Sequence, residues 1–250
     1  MASQTPTRIV IIGATSAIAQ EVAKLYAVQG ARLFCVARDE SKVMAVAADL
    51  RARGAEEVAV YVADLLMRDV HANIVEQSRT FLGTIDCVII AHGVLPDQHT
   101  LDHDVDATIA SFMVNAVSVI SFAHRYADVL EEQGSGTLVG ISSVAGDRGR
   151  ASNYAYGAAK AAVTTFFSGL NVRLRQKGVY VLTVKPGPVD TPMTRGITLP
   201  LMVPPRVVAS DIVRAVARRT MVLYTPGVWR FIMALVRAIP EFIFVKLTKF

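Results

Sequence analysis

The feature of this 250-residue chain that most constrains its fold is the alternation of short apolar runs with longer segments of helical periodicity. Continuous apolar, often β-branched runs are typical of strands that are buried on both faces of a parallel sheet. The runs are Arg8–Ile12, Arg32–Ala37, Val58–Val62, Cys87–Ala91, Thr137–Ser142, Tyr180–Val184 and Met221–Tyr224. The helical segments are Ala17–Gln29, Glu40–Arg53, Asp69–Phe81, Val105–Gln133, Asn153–Lys177 and Pro205–Arg219. This order predicts an α/β fold with a doubly wound parallel sheet and right-handed crossovers.

The composition is that of a chain with one sizeable core. Hydrophobic residues make up 52% of the chain and charged residues only 19%. A chain of this length forms one or two domains, and we find no repeat, low-complexity stretch or linker. We therefore predict one domain over residues 1–225 and an amphipathic C-terminal tail over residues 226–250.

Charge, cysteine usage and the N-terminus exclude several classes of protein. The net charge is +5, but no block of Lys and Arg suggests a nucleic-acid partner. Cys35 and Cys87 lie in apolar runs and no His/Cys cluster has ligand spacing, so we expect buried thiols and no metal site. Met1–Thr7 is polar and only Ile9–Ile12 follows as an apolar run, which predicts no secretory signal and a cytoplasmic location. No run reaches the roughly 18 uncharged apolar residues of a membrane span.

Ser143, Tyr156 and Lys160 carry the strongest chemical signal. Tyr156 and Lys160 are four residues apart, so they share one face if their segment is helical. An ammonium beside a phenol favours the phenolate, and we expect it to lower the tyrosine pKa from about 10. A serine hydroxyl nearby can hold a carbonyl oxygen against that phenol. The set predicts proton transfer to or from oxygen, although a half-buried tyrosine and a solvated lysine would show the same spacing.

The first predicted strand runs into the loop Gly13-Ala14-Thr15-Ser16-Ala17-Ile18-Ala19, and a helix follows. A turn of this kind presents free N–H groups and a positive dipole end to a diphosphate at the carboxyl end of the strand. Gly13 supplies the turn. Ala17 and Ala19 stand where glycine is usual, and their methyl groups can crowd the diphosphate and the helix–strand contact. We expect weaker or re-angled cofactor binding; the alternative is an ordinary turn without a ligand.

The next strand ends bring further polar groups to the same edge of the sheet. Ala37 stands where an acidic residue would hold the ribose of NAD, and Arg38 follows it. A guanidinium matches a 2′-phosphate, which favours NADP(H), although a solvated arginine is the alternative. Asp64 can cap a turn or accept a hydrogen bond from an adenine amino group. His92, in the small-residue turn Ala91–Gly93, is interpreted as structural.

Taken together, these residues resemble the classical short-chain dehydrogenase/reductases over nearly the whole chain. The resemblance is carried by the glycine loop, Asp64, Ala91–Gly93, Asn115, Ser143, Tyr156, Lys160 and the segment Pro186-Gly187-Pro188-Val189-Asp190-Thr191. The chain departs from the family at Ala17, Ala19 and Ala91-His92, where the family usually has Gly, Gly and Asn-Ala. The resemblance implies a single-domain Rossmann-type fold and a homodimer or homotetramer formed through the two long helices.

The resemblance also implies a role for each matching position. Tyr156 would act as general acid in reduction, Lys160 would hold the nicotinamide ribose, and Ser143 would orient the substrate oxygen. Asn115 would interrupt a helix and hold a water linked to Lys160. The implied cofactor-binding residues are Gly13, Thr15, Ser16, Ala17, Ile18, Arg38, Asp64, Leu65, Ala91, His92, Gly93, Tyr156, Lys160, Pro186, Gly187, Val189 and Thr191.

Two apolar segments follow the segment that begins at Pro186. Gly196–Pro205 is interpreted as a lid over an apolar substrate, or as a loop packed on the core. Val228–Phe250 is aromatic and basic, and Pro240 divides it into two pieces. Such a segment is typical of a helix lying in a membrane interface, and the alternative is a tail packed in an oligomer interface.

Within the family, the tail and Gly146–Arg150 resemble the decaprenylphosphoryl-2-keto-pentofuranose reductases of ribose-to-arabinose epimerisation. This implies an NADP(H)-dependent reductase of a ketone, a keto-sugar on a polyprenyl-phosphate carrier, peripheral on the cytoplasmic membrane face. Arg148 and Arg150 would then meet a substrate phosphate. Two alternatives remain open: a reductase of another hydrophobic carbonyl, of sterol or 3-oxoacyl type, and a non-catalytic NADP-sensing or scaffold protein.

Overall fold

The architecture is a seven-stranded parallel sheet with helices on both faces, as predicted. The computed structural model describes residues 7–196 and 199–247. The strands, in the spatial order β3-β2-β1-β4-β5-β6-β7, are β1 Arg8–Ile12, β2 Arg32–Ala37, β3 Glu57–Val62, β4 Cys87–Ile90, β5 Gly136–Ile141, β6 Val179–Pro186 and β7 Val222–Thr225. The helices are α1 Ala17–Ala27, α2 Glu40–Ala52, α3 Val70–Leu82, α4 Gln98–His103, α5 Val105–Phe112, α6 Ser118–Gln133, α7 Tyr154–Leu174, α8 Pro205–Ala217, α9 Trp229–Ala238 and α10 Glu241–Phe244.

Both faces of the sheet are buried, which explains why the strands are continuously apolar. Along β1, Ile9 and Ile11 belong to a core that α1 and α8 cover, whereas Val10 and Ile12 belong to a second core under α3, α6 and α7. All four side chains are fully buried. Cys35 and Cys87 are buried free thiols in the first of these cores. A doubly wound sheet needs apolar residues at every strand position, because neither face meets water.

The predicted helix over residues 105–133 is continuous but not uniform. A π-helical turn, Met113–Val117, separates α5 from α6. This helix has the length and hydropathy of a membrane span, with a mean hydropathy of 1.6 over its most apolar window, although the sequence alone led us to expect no such segment. Phe122 and Tyr126 are fully buried in the core beneath the sheet, and 33% of that apolar window is buried in all.

In the tail, α9 ends at Ala238, two residues before Pro240, and α10 begins directly after that proline. The described part of the tail therefore consists of the two pieces that the proline predicts. Three segments of the sequence predictions lie outside the described residues: positions 1–6 of the polar N-terminus, positions 197–198 of the predicted lid, and positions 248–250 of the tail.

Candidate active site

The glycine loop lies at the carboxyl end of β1, where the sequence predicted it. Gly13 has φ +85°, and a Cβ atom there would lie 2.7 Å from the backbone nitrogen of His92. The N–H groups of Gly13 and Ala14 both donate to the carbonyl of Val36, at 2.9 Å. Only glycine combines this backbone conformation with so close an approach between the β1 and β4 ends.

The start of α1 has the features of an anion site. Its N-cap residue, Ser16, makes no side-chain cap hydrogen bond, and no acidic residue stands in the first turn. The N–H groups of a first helical turn lack partners within the helix and carry the positive dipole end. Ala19 is fully buried in the core and Ala17 is half-buried. The helix–strand contact thus accommodates the Ala19 methyl group, and a diphosphate would meet only the methyl of Ala17.

Arg38 and Asp64 follow the two neighbouring strands at the same edge of the sheet. Arg38 is exposed directly after β2, and its guanidinium makes no hydrogen bond or ion pair within residues 7–196 and 199–247. The Asp64 carboxylate accepts from the N–H of Leu66 at 3.0 Å, so it caps the turn after β3. The carbonyl of Leu65 accepts from His71 Nε2 at 2.9 Å. Arg38 is therefore free to meet an anionic group, and Asp64 has a structural partner.

His92 is a buried, neutral histidine beneath the glycine loop. The Ser118 hydroxyl donates to the carbonyl of Val114 at 2.8 Å, so it accepts from His92 Nε2 at 2.8 Å. This assigns the proton to Nε2 and leaves Nδ1 as an acceptor, for which the described residues offer no partner. Burial first, and then the charge of Lys160, lower the pKa of His92 to about 3. His92 is thus a packing and positioning group beside Gly13.

Ser143 and Tyr156 meet at the carboxyl end of β5. Ser143 caps a 3₁₀ turn, Val144–Asp147, and its Oγ accepts from the N–H of Ala145 at 3.1 Å. Tyr156, in the first turn of α7, lies close enough to Ser143 for the serine hydroxyl to lower the pKa of its phenol. Ser142 points elsewhere: its hydroxyl donates to the carbonyl of Lys160 at 2.9 Å. The geometry therefore brings Ser143, rather than its neighbour, to the tyrosine.

Lys160 lies one helical turn beyond Tyr156 and is only 3% exposed. Its Nζ is 5.6 Å from the centre of the Tyr156 ring and donates to the carbonyl of Ile141 at 3.0 Å. Burial lowers the pKa of Lys160 to about 8. At neutral pH the ammonium remains mostly protonated, because that value is still above 7.

The expected lowering of the Tyr156 pKa is not found. Burial raises the pKa of Tyr156 to about 12, and the nearby Ser143 hydroxyl offsets only part of that increase. Lys160 lies against the ring and donates to the Ile141 carbonyl instead of pairing with the phenol oxygen. Removal from water disfavours a phenolate more strongly than this arrangement favours it. The phenol is therefore held in its protonated form.

Asn115 lies in the π-helical turn between α5 and α6 and is fully buried. Its amide nitrogen donates to the carbonyl of Ser111 at 3.0 Å, and its Oδ1 accepts from the N–H of Val94 at 2.9 Å. A Cβ on Gly93 would lie 2.8 Å from this Oδ1 and 3.5 Å from Lys160 Nζ. Asn115 and Lys160 are therefore neighbours, and Gly93 leaves the space between them open.

Gly146 and Gly157 permit the contact between the Ser143 turn and α7, a role that the sequence analysis predicted for neither of them. A Cβ on Gly146 would lie 2.7 Å from the Lys160 backbone, and one on Gly157 would lie 2.8 Å from the Ala145 carbonyl oxygen. Both approaches are closer than any side chain allows. Gly157 directly follows Tyr156 in the sequence, and a glycine at that place in a helix is the sequence feature that indicates this close contact.

The segment after β6 runs beside this cluster. Val189 is buried, and Thr191 caps the short 3₁₀ turn Pro192–Thr194. The far part of the predicted lid pairs with the segment, because the Val203 N–H donates to Pro188 at 3.1 Å. An open hollow of about 500 Å³ lies between them, lined by Asp190, Thr191, Pro192, Thr194, Arg195, Gly196 and Met202.

The two arginines expected to meet a substrate phosphate have other partners. Arg148 donates to the carbonyl of Ile239 at 2.8 Å and pairs with Glu241 at 2.6 Å. Arg150 contacts the Met233 sulfur at 3.4 Å. Both side chains hold the tail against the active-site turn, and a contact with a substrate phosphate stays a prediction.

A Rossmann-type sheet with half-buried Ser143 and Tyr156 beside buried Lys160, and an open helix N-terminus, defines a nucleotide-dependent oxidoreductase of the short-chain type. Comparison with known proteins agrees: the family described as short chain dehydrogenase matches residues 7–200. The chain belongs to this family of oxidoreductases, which use nicotinamide cofactors.

Individual relatives cover the chain almost completely. The uncharacterized oxidoreductase Rv2073c of Mycobacterium tuberculosis is 34% identical over 96% of this chain and 97% of its own length. An uncharacterized oxidoreductase in the mprA 5′ region of Streptomyces coelicolor is 32% identical over 98% of both chains. The structure of a short-chain type dehydrogenase/reductase from Mycobacterium ulcerans has the same fold, with a TM-score of 0.79, 22% identity and 89% coverage of both chains.

Proposed function

We propose that the protein is an NADP(H)-dependent reductase that converts a ketone to a secondary alcohol. The observation that carries the proposal is the proximity of half-buried Ser143 and Tyr156, with the buried Lys160 ammonium beside the same ring. A phenol whose pKa is raised to about 12 retains its proton at neutral pH. It is therefore ready to give that proton to a carbonyl oxygen that Ser143 holds.

Each member of the cluster has a defined task in this proposal. Ser143 donates a hydrogen bond to the carbonyl oxygen, and Tyr156 protonates it. Lys160 binds the nicotinamide ribose and keeps a positive charge below the phenol, which stabilises the negative charge that develops when Tyr156 gives up its proton. Asn115 fixes the helix next to Lys160. NADP(H), when bound, supplies the hydride.

The residues at the nucleotide end fit such a cofactor. Gly13 and Gly93 stand where added side chains would collide with His92 and Asn115, so the loops keep their backbones close together. The start of α1 offers unpaired N–H groups to a diphosphate. Exposed Arg38 after β2, with Ala37 in place of an acid, supports a preference for the 2′-phosphate of NADP(H).

For the substrate we propose a ketone with a large apolar portion, with a keto-sugar on a polyprenyl-phosphate carrier as the first candidate. Leu199 and Leu201 are exposed in the same loop as Met202, which lines the hollow, and together with the apolar tail they support a lipid-linked substrate. Exposed Arg195, on the rim of the hollow, can bind the phosphate of the carrier, because Arg148 already binds Ile239 and Glu241. A sterol or 3-oxoacyl ketone shares the apolar part of this argument but needs no phosphate contact.

We further propose that the enzyme is cytoplasmic and peripheral on the membrane face. On the outer face of α9 and α10, the solvent-exposed fractions of Phe231, Leu235 and Phe242 are 76%, 69% and 68%. Arg230, Arg237 and Lys246 are exposed on the same segment. An apolar face flanked by cations suits an anionic lipid surface. The alternative occupant is a second copy of the chain.

The first test is cofactor titration with NADPH and NADH, in wild type and in Arg38→Ala. We expect tighter binding of NADPH, and a loss of roughly tenfold or more for NADPH alone in the variant, because one charge-assisted contact to phosphate is worth about 1.5–3 kcal/mol. Arg53→Ala, at the far end of α2, is the matched control. Equal binding of both cofactors would refute the NADP(H) preference.

The second test separates an enzyme from a scaffold. Tyr156→Phe removes the proton donor but leaves the ring, so turnover of a ketone should fall by about 10²–10⁴-fold. Binding of NADPH should stay within about twofold of wild type, because the hydroxyl is not needed to hold the cofactor. Lipid-linked keto-sugars, sterols and 3-oxoacyl compounds form the substrate panel. NADPH binding without turnover of any ketone in the wild type would favour the NADP-sensing or scaffold alternative.

A further inference from the structure

The inner face of the tail is in contact with the active site. Met233 on α9 is fully buried, although Phe231 and Leu235 on the same helix are exposed. The helix therefore has an inner face that packs on the protein and an outer apolar face. The inner face meets the two segments that carry the reaction in the proposed function: the turn after Ser143 and the segment at Gly187.

Arg148 makes the first of these contacts. It ends the 3₁₀ turn that Ser143 begins, and its side chain is 14% exposed. One guanidinium nitrogen donates to the carbonyl of Ile239 at 2.8 Å, and the other to Glu241 at 2.6 Å. The guanidinium also lies 4.2 Å from the centre of the Phe244 ring. Because the last carbonyls of a helix lack partners within it, Arg148 closes the end of α9 and joins α9 to α10.

Trp229 makes the second contact. A Cβ on Gly187 would lie 2.0 Å from the indole nitrogen of Trp229, so the indole rests directly on the Gly187 backbone. Its N–H is buried and has no acceptor among the residues that the structure describes. Gly187 is anchored from the other side, because its own N–H donates to the Thr225 carbonyl at 3.0 Å. Any other residue at position 187 would displace the tail.

The two contacts belong to one connected unit. Asp147, next to Arg148, forms a buried ion pair with Lys185 at 2.5 Å and accepts from the Tyr224 hydroxyl at 2.7 Å. Lys185 immediately precedes Pro186, and Tyr224 lies five residues before Trp229. The Ser143 turn, the segment at Gly187 and the start of the tail are therefore held to one another by a buried polar network.

We propose that Arg148 and Trp229 are positioning residues that couple the docked tail to the active site. The docked tail holds the Ser143 turn and the Gly187 backbone in their working positions, and release of the tail lowers turnover while Tyr156 and Lys160 stay intact. This inference rests on the proposed function. It also gives the tail two separate tasks, because its inner face serves catalysis and its outer face remains free for a lipid surface.

The chain provides its own reporter, because Trp229 is its only tryptophan. In Arg148→Ala, we expect Trp229 emission to move to longer wavelength and acrylamide quenching to increase. We expect kcat for a soluble ketone to fall by about tenfold or more, as displacement of a positioned group does, and the dissociation constant of NADP⁺ to rise. Arg218→Ala, an exposed residue at the end of α8, is the matched control and should change none of these. Arg148→Lys, which keeps the charge but not the forked geometry, should restore part of kcat.

The reciprocal measurement uses the wild-type chain. Saturating NADP⁺, which does not absorb tryptophan emission, should protect Trp229 from acrylamide, since coupling between two sites acts in both directions. Release of the tail in Arg148→Ala with unchanged kcat and cofactor affinity would overturn the coupling. An unchanged Trp229 environment in that variant would overturn the role of Arg148. If NADP⁺ fails to bind the wild type at all, the proposed function itself is wrong, whereas the emission of Arg148→Ala still shows whether Arg148 docks the tail.

Discussion

Burial sets the charge of three residues around the proposed reaction centre. It raises the pKa of Tyr156 to about 12, lowers that of Lys160 to about 8 and lowers that of His92 to about 3. Each shift favours the neutral form, as removal from water requires. At neutral pH the result is a protonated phenol above a largely protonated ammonium, with a neutral imidazole nearby. The site is thus prepared to give a proton rather than to take one.

His92 makes the stability of the fold depend on pH. Its pKa lies below the ordinary histidine value of 6.5, so the unfolded chain binds a proton that the folded chain does not. This contribution is present above pH 6.5 and is lost as the pH falls toward 3. Between pH 7 and pH 5 we expect the free energy of unfolding to fall by about 1–2 kcal/mol because of His92.

Urea unfolding at the two pH values, in wild type and in His92→Ala, measures this contribution. The variant should be less stable at pH 7, because a cavity replaces the ring, but its loss between pH 7 and pH 5 should be smaller than that of the wild type. An equal loss in both proteins would show that the imidazole is not held neutral. His71 stays in both proteins, so its own lowered pKa cancels in the comparison.

At the scale of single elements, α7 is positioned by what its glycines permit. Gly157 brings the helix against the Ala145 carbonyl oxygen, so the Ser143 turn and Tyr156 can touch. Gly169, on the same helix, is exposed and has no atom within 4 Å of an added Cβ. Replacing glycine by alanine is the same chemical change at both positions, but the added methyl group would meet backbone at position 157 and open space at position 169.

Gly157→Ala should therefore destabilise the fold by about 1–3 kcal/mol and lower kcat, because backbone must shift to admit the methyl group. Gly169→Ala should stabilise it by roughly 0.5–1 kcal/mol, because alanine loses less backbone entropy in a helix than glycine does. Denaturant unfolding and ketone turnover check both variants. If Gly157→Ala changed neither the free energy of unfolding nor kcat, the Ser143 turn would not pack on α7 as closely as the structure shows.

For the whole molecule, apolar residues on α5 and α7 point to self-association through these helices. Val172 on α7 is 80% exposed and Ile109 on α5 is 56% exposed. Two long helices with exposed apolar side chains suit a symmetric interface, in which each surface meets its own copy. The resemblance to the short-chain family implies the same surfaces, and we predict a homodimer or homotetramer.

Ile109→Asp and Val172→Asp should each lower the mass seen by light scattering during size-exclusion chromatography, because a buried unpaired carboxylate is costly at an interface. Val28→Asp is the control, since Val28 is 62% exposed after the end of α1. Loss of assembly in Val28→Asp alone would place the interface elsewhere. Arg148→Ala, which releases the tail, should leave the mass unchanged.

Much of the architecture was predictable from periodicity. β1 and β2 have the predicted bounds, and the predicted helix 105–133 is found as α5, a π turn and α6. α4 was missed, because six residues of mixed polarity carry no periodic signal. At the site, spacing alone placed Tyr156 and Lys160 on one helical face. Their pKa values were not predictable, because burial and the Ile141 carbonyl come from the packing of β5 against α7.

The sequence by itself determined the doubly wound sheet, the glycine loop at its edge and the order of Ser143, Tyr156 and Lys160, because each is a local pattern of polarity, backbone freedom or spacing. Only the tertiary structure decided what Arg148, Trp229 and Gly187 do. Arg148 and Ile239 are 91 residues apart in the sequence, and no local pattern shows that they touch. A contact of this kind exists only after the sheet has brought the ends of β5, β6 and β7 to one edge, where the tail can close over them.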